Sequence, residues 1–396
     1  KALSFRDPPS LMRRPMSIFA QLWSLGAYIV PFVFVLSIVV FFHELGHFLI
    51  GRWCGVKVDA FSLGFGPEIG HFTDRYGTRW RLAALPLGGY VKFHGDANGA
   101  SMMDEAEIAN MPIHEKAVTF FAQKVWKRAA IVAAGPIANF ILAIVIFTGI
   151  FYIEGRGVLA PRVDGVTAGS AAEDAGFKAG DMIISIDGKK IDGFEDMQRV
   201  VQVSGDVALN FTVERNGQTV ELVATPRRRD ITTPFGTTRV GVLGVEATGT
   251  QSNWHVEHYN LLDSSRMAVT ETWFIVERTG SYLGGLLMGK ESTDQLSGPI
   301  RIAEVSGEMA KIGLGALLNL AAILSISVGI LNLVPIPLLD GGHLFYYAVE
   351  AVRGRALHEK TQQFGYRIGL TLVAALMIFA TYNDIARLTR QWMHWG

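Results

Sequence analysis

The sequence predicts a polytopic α-helical membrane protein, with about four transmembrane helices and a small α+β domain inserted between two membrane halves. Three observations predict it. Hydrophobic residues make up 49% of the 396 and charged residues 18%, with a mean hydropathy of +0.28, too apolar for an ordinary soluble protein. Long runs carry no charge at all: 28–42, 129–153 and 312–339. Between the second and third of these runs, after Glu154, the composition turns globular. The 36 basic and 36 acidic residues cancel, so nothing in the balance points to nucleic acid. The single cysteine, Cys54, excludes an intrachain disulfide and a cysteine-rich zinc motif.

Residues 1–27 read as an N-terminal tail. Lys1–Pro15 is polar, with Pro8-Pro9 and Arg13-Arg14, and Met16 is a candidate natural start. The first membrane half, 28–153, opens with a span over about 30–51 that places Pro31 in its first turn, where a missing N–H costs little. This span contains His43-Glu44-Leu45-Gly46-His47. Residues four apart share a helix face, so His43 and His47 can hold one zinc ion while Glu44 stands beside it as a base. Counting from Pro31 at 1.5 Å per residue, His43 lies roughly 18 Å into a core about 30 Å thick. The bland reading is a set of polar groups gluing helices together. Each such group at this depth costs about 2.5–3.5 kcal/mol, so three at catalytic spacing need a compensating reason. Cleavage of this segment as a signal peptide would remove the motif, so an uncleaved span is expected.

The connection 52–128 begins with glycine turns and short strands: Ser62-Leu63-Gly64-Phe65-Gly66-Pro67, then Arg79–Tyr90 with Pro86 and Gly88-Gly89. A hairpin against the site is expected, whose edge either pairs with an extended substrate or is purely structural. The connection holds ten Lys or Arg, from Arg52 to Arg128, which makes it cytoplasmic by the positive-inside rule. The second span, 129–153, contains Gly135-Pro136-Ile137-Ala138-Asn139. Its small residues allow close packing, and Asn139 reads as packing glue rather than a participant in chemistry.

The inserted domain covers 160–228, with the hairpin signal Asn216-Gly217 between two strand-like runs. It faces the side opposite the basic connection. Residues 229–311 read as linker followed by an amphipathic helix over 259–288, with Leu262, Val269, Trp273 and Val276 on a face resting on the membrane surface. The second membrane half, 312–396, carries spans over about 312–334 and 366–383. The third span ends in Asn332-Leu333-Val334-Pro335-Ile336-Pro337-Leu338-Leu339-Asp340-Gly341-Gly342-His343. Two prolines two apart cannot stay in a regular helix, and broken backbone at membrane depth belongs beside a polar cavity. Asp340 is therefore assigned as the third zinc ligand; the alternative is a cap on the helix starting near His343.

Two resemblances sharpen this reading. Ala171-Ala172-Glu173-Asp174-Ala175-Gly176 followed by Lys178-Ala179-Gly180-Asp181-Met182-Ile183 resembles a bacterial PDZ domain of the protease-associated kind. H-E-x-x-H in the first span, G-P-x-x-N in the second, the PDZ-like insert and N-x-x-P-x-P-x-L-D-G-G in the third together resemble the site-2 protease family of intramembrane zinc metalloproteases. The order is most similar to bacterial members that clip anti-sigma factors, although several relatives carry two PDZ domains and this chain one. Gly64-Phe65-Gly66 and Pro86–Tyr90 resemble that family's membrane-embedded β-hairpin. The resemblance implies a Zn2+ cofactor on His43, His47 and Asp340, Glu44 as catalytic base, and Asn332 and Gly64-Phe65-Gly66 in contact with substrate. It implies as substrate a single-pass membrane protein, such as an anti-sigma factor after a first cut, with a substrate terminus or peptide at the PDZ domain. The implied setting is the lipid bilayer of the bacterial inner membrane, with the PDZ domain periplasmic and the site in the cytoplasmic half. Two other classes compete: a PDZ-bearing receptor with structural zinc, which leaves Glu44 idle, and a zinc transporter, which lacks here the repeated halves such proteins show.

Overall fold

The computed structural model describes residues 18–96, 111–233, 236–248, 254–289 and 298–393. The expected tail at Lys1–Pro15 and the start at Met16 lie outside them. Among the described residues four helices are long and apolar enough to cross a membrane: Gly26–Trp53, Val125–Ile153, Leu314–Leu333 and Lys360–Arg390. The chain is thus a multi-pass helical membrane protein.

The first helix, α1 (Ile18–Trp53), starts ahead of the expected span and takes in residues assigned to the tail. Pro31 accordingly sits inside the helix rather than in its first turn. In an apolar setting, losing one backbone bond at a proline costs less than unwinding the chain and exposing several. His43 still lies nearer the C-terminal end of α1.

After α1 come two long antiparallel strands, β1 (Val58–Thr73) and β2 (Arg79–Phe93), joined by a turn in which Asp74 Oδ1 accepts from the N–H groups of Tyr76 (2.8 Å) and Thr78 (3.0 Å). Their register is not that of a simple hairpin. Phe61 faces both Trp80 and Val91, and Trp80 faces both Phe61 and Phe72. Each strand is therefore bent double into a four-segment sheet, ordered 68–73, 79–83, 58–63, 89–93. The bends need backbone that only glycine adopts freely: Gly64 has φ 92°, Gly66 φ 84° and Gly88 φ 151°. The apolar face of this sheet, Val58, Phe61, Val91 and Phe93, packs on Phe48 of α1.

The helix α2 (Ile113–Lys116) precedes α3 (Val125–Ile153), the second span. The inserted domain then runs from β3 (Arg156–Leu159) to β12 (Trp254–Glu257), which pair with each other and close its neck. Between them lie β4 (Gly165–Val166), α4 (Ala171–Asp174), β5 (Met182–Ile186), β6 (Lys189–Lys190), α5 (Phe194–Val203), β7 (Leu209–Arg215), β8 (Gln218–Ala224), β9 (Arg227–Thr233), β10 (Gly236–Val242) and β11 (Val245–Glu246). The main sheet runs β6-β5-β7-β8 around a core that includes Val163, Ile183, Met197, Phe211 and Val213. Buried Asp181 takes two 2.7 Å bonds from Arg215. Burial alone would raise its carboxyl; the guanidinium and the Lys178 N–H outweigh that and hold it below the usual range. Residues 229–257, read as linker with some strand, supply most of β9 and all of β10 to β12: β9 and β10 pair locally with each other, whereas β11 and β12 pair with β4 and β3 about 80 to 100 residues earlier, which leaves no local signature.

The amphipathic helix is α6 (Leu261–Leu287), capped by Asn260, whose side chain accepts from the Asp263 N–H at 2.9 Å. It does not simply rest on a surface. Ala268, Ile275 and Val276 pack against α3 and the third span, while Leu262, Val269 and Trp273 stay exposed. Arg199 of α5 meets Glu271 at 2.6 Å, so the helix is held between the insert and the membrane bundle. A helix missed by sequence reasoning follows, α7 (Pro299–Ile312), although Gly298-Pro299 at its start and Gly313 at its end are the expected boundary signals.

The third span, α8 (Leu314–Leu333), ends before the two prolines, and α9 (Asp340–Arg353) restarts with Asp340 as its first residue. The turn between them is strained, with Leu338 at φ 102°. The last helix, α10 (Glu359–Met393), is far longer than the expected 366–383 span. Near its end, buried Asp384 accepts from the N–H groups of Gly298 (3.2 Å) and Arg301 (3.0 Å) and so caps α7. Nearer its start, Gly365 and Gly369 lie flat on the proline turn and on α9. A Cβ added at Gly369 would fall 1.5 Å from the Pro337 carbonyl oxygen, and one at Gly365 2.0 Å from the Tyr346 hydroxyl.

Gly369→Ala must therefore push apart α10 and the turn that delivers Asp340, destabilising the protein by about 1–3 kcal/mol as overpacking does. Gly149→Ala, where an added Cβ meets nothing within 4 Å, serves as the control and is expected to be neutral in thermal unfolding. Equal melting temperatures for the two variants would remove this account of the turn.

Candidate active site

Two helices must nearly touch for the site to form. A Cβ on Gly46 would lie 2.2 Å from the Ala134 carbonyl oxygen, and one on Gly135 would lie 2.3 Å from His47 Nε2. With no side chain at either position, α3 runs directly over the histidine face of α1. Ile131, Gly135 and Asn139 follow each other at four-residue intervals, so the carbonyl and the amide flank the contact on one face.

Each flank engages one ring. The Ile131 carbonyl accepts from His47 Nδ1–H at 2.9 Å, which leaves Nε2 as the free lone pair. Asn139, fully buried, stands with Nδ2 3.2 Å from His43 Nδ1, while its Oδ1 is buried with no donor among the described residues. Exchanging the amide N and O, which are alike in shape, brings Oδ1 to face His43 Nδ1. Oδ1 then accepts from His43 Nδ1–H, and His43 Nε2 is also left as a lone pair. The residue expected to be packing glue thus touches a site ring.

The two Nε2 atoms converge at 3.2 Å, and Asp340 Oδ2 lies 3.2 Å from His43 Nε2 and 3.6 Å from His47 Nε2. Two imidazole nitrogens and a carboxylate oxygen converging in this way form a donor set suited to a cation. Asp340 Oδ2 is itself buried, with no hydrogen bond satisfying it among the described residues. Only 12% of each histidine side chain and 17% of Asp340 remain exposed. His43, His47 and Asp340, with ligand atoms all within 4.8 Å of one another, therefore fit a metal ion such as zinc and have room for it. Asp340 is the first residue of its helix, whose N-cap is Leu339 with no side-chain capping bond, so its carboxylate points into this cluster rather than capping the helix. Its helix is tied to α3 by Arg128 and Glu350 at 2.6 Å.

The cluster opens into a cavity of about 210 Å³ that Glu44 lines together with Gly89, Tyr90, Val91 and Asn332. Asn332 Nδ2 comes within 3.4 Å of His43 Nε2. Gly64, Phe65 and Gly66 do not line the cavity. They form the bend of β1, and the sheet segment at the site is 89–93, whose outer edge pairs with no described strand. A Cβ at Gly89 would lie 3.0 Å from Glu44 Cγ, so this edge lies flat on α1. Sequence reasoning also passed over His343 and Tyr347, which line the cavity from the face of α9 that carries Asp340. Their spacing of three and seven residues from Asp340 was the available signal.

Comparison with known proteins gives this geometry its relatives. The model of "Peptidase family M50" matches residues 31–376. A protein of Agrobacterium fabrum named "Putative zinc metalloprotease" is 48% identical over 373 residues, covering 94% of this chain and 99% of its own. A protein of the same description from Rhizobium meliloti is 48% identical over 360 residues, with 90% and 96% covered. "Metalloprotease MmpA" of Caulobacter vibrioides is 40% identical over 382 residues, with 91% and 95% covered. With its family model reaching from within the first membrane helix into the last, the chain belongs to peptidase family M50, the site-2 proteases, and is a zinc metalloprotease of the membrane.

Proposed function

We propose that this zinc metalloprotease cuts a peptide bond within the transmembrane segment of single-pass membrane proteins, an anti-sigma factor already trimmed by a first cut being the expected substrate. The observation that carries the reading is the cluster of His43, His47 and Asp340 beside Glu44, with the histidines and Glu44 on the first membrane-spanning helix and Asp340 just past the third, around a cavity edged by a strand. His43, His47 and Asp340 hold the zinc. When bound there, zinc supplies a Lewis acid that polarises the scissile carbonyl and acidifies water. Glu44 takes the proton from the attacking water and returns it to the leaving amine. Asn139 and the Ile131 carbonyl fix the two rings. Asn332 contacts the substrate near the cut.

A peptide bond inside a helix is shielded by its own backbone bonds, so the substrate must be extended first. The outer edge of 89–93 pairs with no described strand, and beside Glu44, which takes a hydrogen bond from the Val91 backbone, an extended segment adds as a further strand. Gly64, Phe65 and Gly66 serve this edge indirectly, by making the bend that places it. The insert reads as a PDZ-like domain that screens substrates by the bulk or terminus of their outer part. The ten basic residues of the first connection support a site in the cytoplasmic half of the bacterial inner membrane, with the insert in the periplasm.

Glu44→Gln is expected to retain zinc and lose cleavage of a membrane reporter by about 10²- to 10⁴-fold. Undiminished cleavage would end the protease mechanism proposed here. Asn139→Ala should weaken zinc binding about 10- to 100-fold, with Asn139→Asp, which keeps an acceptor, restoring most of it. Zinc affinity unmoved by Asn139→Ala would reduce that residue to packing. For the screening role, one reporter is compared with and without a folded periplasmic domain. The trimmed form should be cut much faster in the intact protein, and equal rates would count against the screen.

A further inference from the structure

Away from the catalytic cavity, a second cavity of about 430 Å³ opens where the insert meets α6. Arginines from three separate elements line it: Arg228 of β9, Arg239 of β10 and Arg278 of α6. Two of them have acidic partners. Arg228 Nε lies 3.0 Å from Asp206 and Arg239 Nε 2.8 Å from Asp230. Arg278 has no acidic, carbonyl or aromatic partner among the described residues. Solvent reaches it, as it must reach the lining of an open cavity. Even so, enough protein surrounds Arg278 that desolvation pulls its guanidinium below the ordinary value, with no counter-charge to restore it.

The surroundings of Arg278 are those of an anion site. Ser281, Tyr282 and Gly285 follow it at three, four and seven residues on the same helix face and also line the cavity. Gly284-Gly285 contribute no bulk, which leaves room over the helix backbone. A guanidinium offers its N–H donors in a planar fork that matches phosphate oxygens, and a hydroxyl beside it adds a neutral donor. The rest of the lining is mostly apolar, with Val203, Val240 and Met288 beside Gln202 and two glycines.

The position of the cavity selects among phosphates. The α6 helix carries Arg278 toward the insert while Ala268, Ile275 and Val276 pack on α3 and α8, two membrane spans. Exposed Val269 and Trp273 lie on the same helix. A site with a cationic anchor, a partly apolar wall and a membrane span behind it suits a molecule with a charged head and an apolar body. We propose that this cavity binds the phosphate headgroup of an anionic membrane phospholipid, with Arg278 as its anchor. The lipid then bridges insert and bundle at the level of α6.

The full chain, purified and stripped of lipid in detergent, is titrated with phosphatidylglycerol, phosphatidylcholine or inorganic phosphate, and binding is read by native mass spectrometry and thermal unfolding. Phosphatidylglycerol should bind in preference to phosphatidylcholine, and Arg278→Gln should weaken it about tenfold, the value of one charge-assisted contact. Arg266→Gln, on the same helix but paired with Asp263 at 3.5 Å and outside the cavity, should leave binding unchanged. Arg278→Lys keeps the charge and should retain part of the affinity, and zinc content reports that each variant is folded. Should Arg278→Gln fail to fold, Arg228→Gln should weaken phosphatidylglycerol in the same direction. Equal binding of the two lipids, or no loss in the folded Arg278 variant, overturns the proposal. Inorganic phosphate that stabilises as much as phosphatidylglycerol and displaces it also overturns it, in favour of a soluble anion.

Discussion

The rings of His43 and His47 are useful only because α1 and α3 meet backbone to backbone. Gly46 and Gly135 contribute nothing but absence: a single methyl at either would strike a carbonyl or an imidazole. That absence brings the Ile131 carbonyl and the Asn139 amide within reach of both Nδ1 atoms, and so turns both Nε2 lone pairs toward one point. Ordinary side chains at the crossing would leave the same two histidines facing lipid-like surroundings with no defined tautomer. The helix contact therefore comes before the metal chemistry, in the sense that it sets which nitrogen can take part.

A second constraint is that backbone polar groups in an apolar medium must find partners. The chain meets it differently in three places. Pro31 is absorbed within α1, where the lost bond is a single one. The sheet after α1 folds each strand back on itself, so four segments pair where a plain hairpin would leave two long edges. The turn after α8 is irregular but is covered by Gly365 and Gly369 of α10, with Ile336 and Leu339 N–H groups bonded to Val334 and Ile336 carbonyls at 2.7 and 3.0 Å. The strain at Leu338 is held by that cover. It is next but one to Asp340, so its backbone direction decides where the carboxylate points.

Much of this was legible in the sequence where the signal is local. His43, Glu44 and His47 declare themselves by helical spacing, and Asp340 by the prolines that break the span before it. The span ends were less legible, because an apolar helix such as α1 runs on past a proline that would end a helix in water. What lay beyond reach was set by pairing and packing between distant segments. The neck strands β3 and β12 are short and far apart, so residues after 228 read as linker. Gly64-Phe65-Gly66 carries a clear turn signal, but nothing in it reveals that the segment reaching Glu44 is 89–93. Asn139 looked like packing glue because its partner, a ring on another helix, is not visible from its own neighbours.

The doubled sheet after α1 has a consequence for how this protein can vary. The segment at the site, 89–93, takes its register from 58–63, which follows directly from the end of α1. The outer pair, 68–73 and 79–83, together with the Asp74–Thr78 turn, hangs from the opposite side of that pairing. That turn is itself held by the end of α1: Arg52 meets Asp74 at 3.1 Å and lies over the Tyr76 ring, and Thr78 Oγ1 donates to the Val58 carbonyl at 2.9 Å. Any change of length in the outer pair must therefore keep the contacts to Arg52 and Val58, because the end of α1 holds both that turn and the strand that sets the edge beside Glu44.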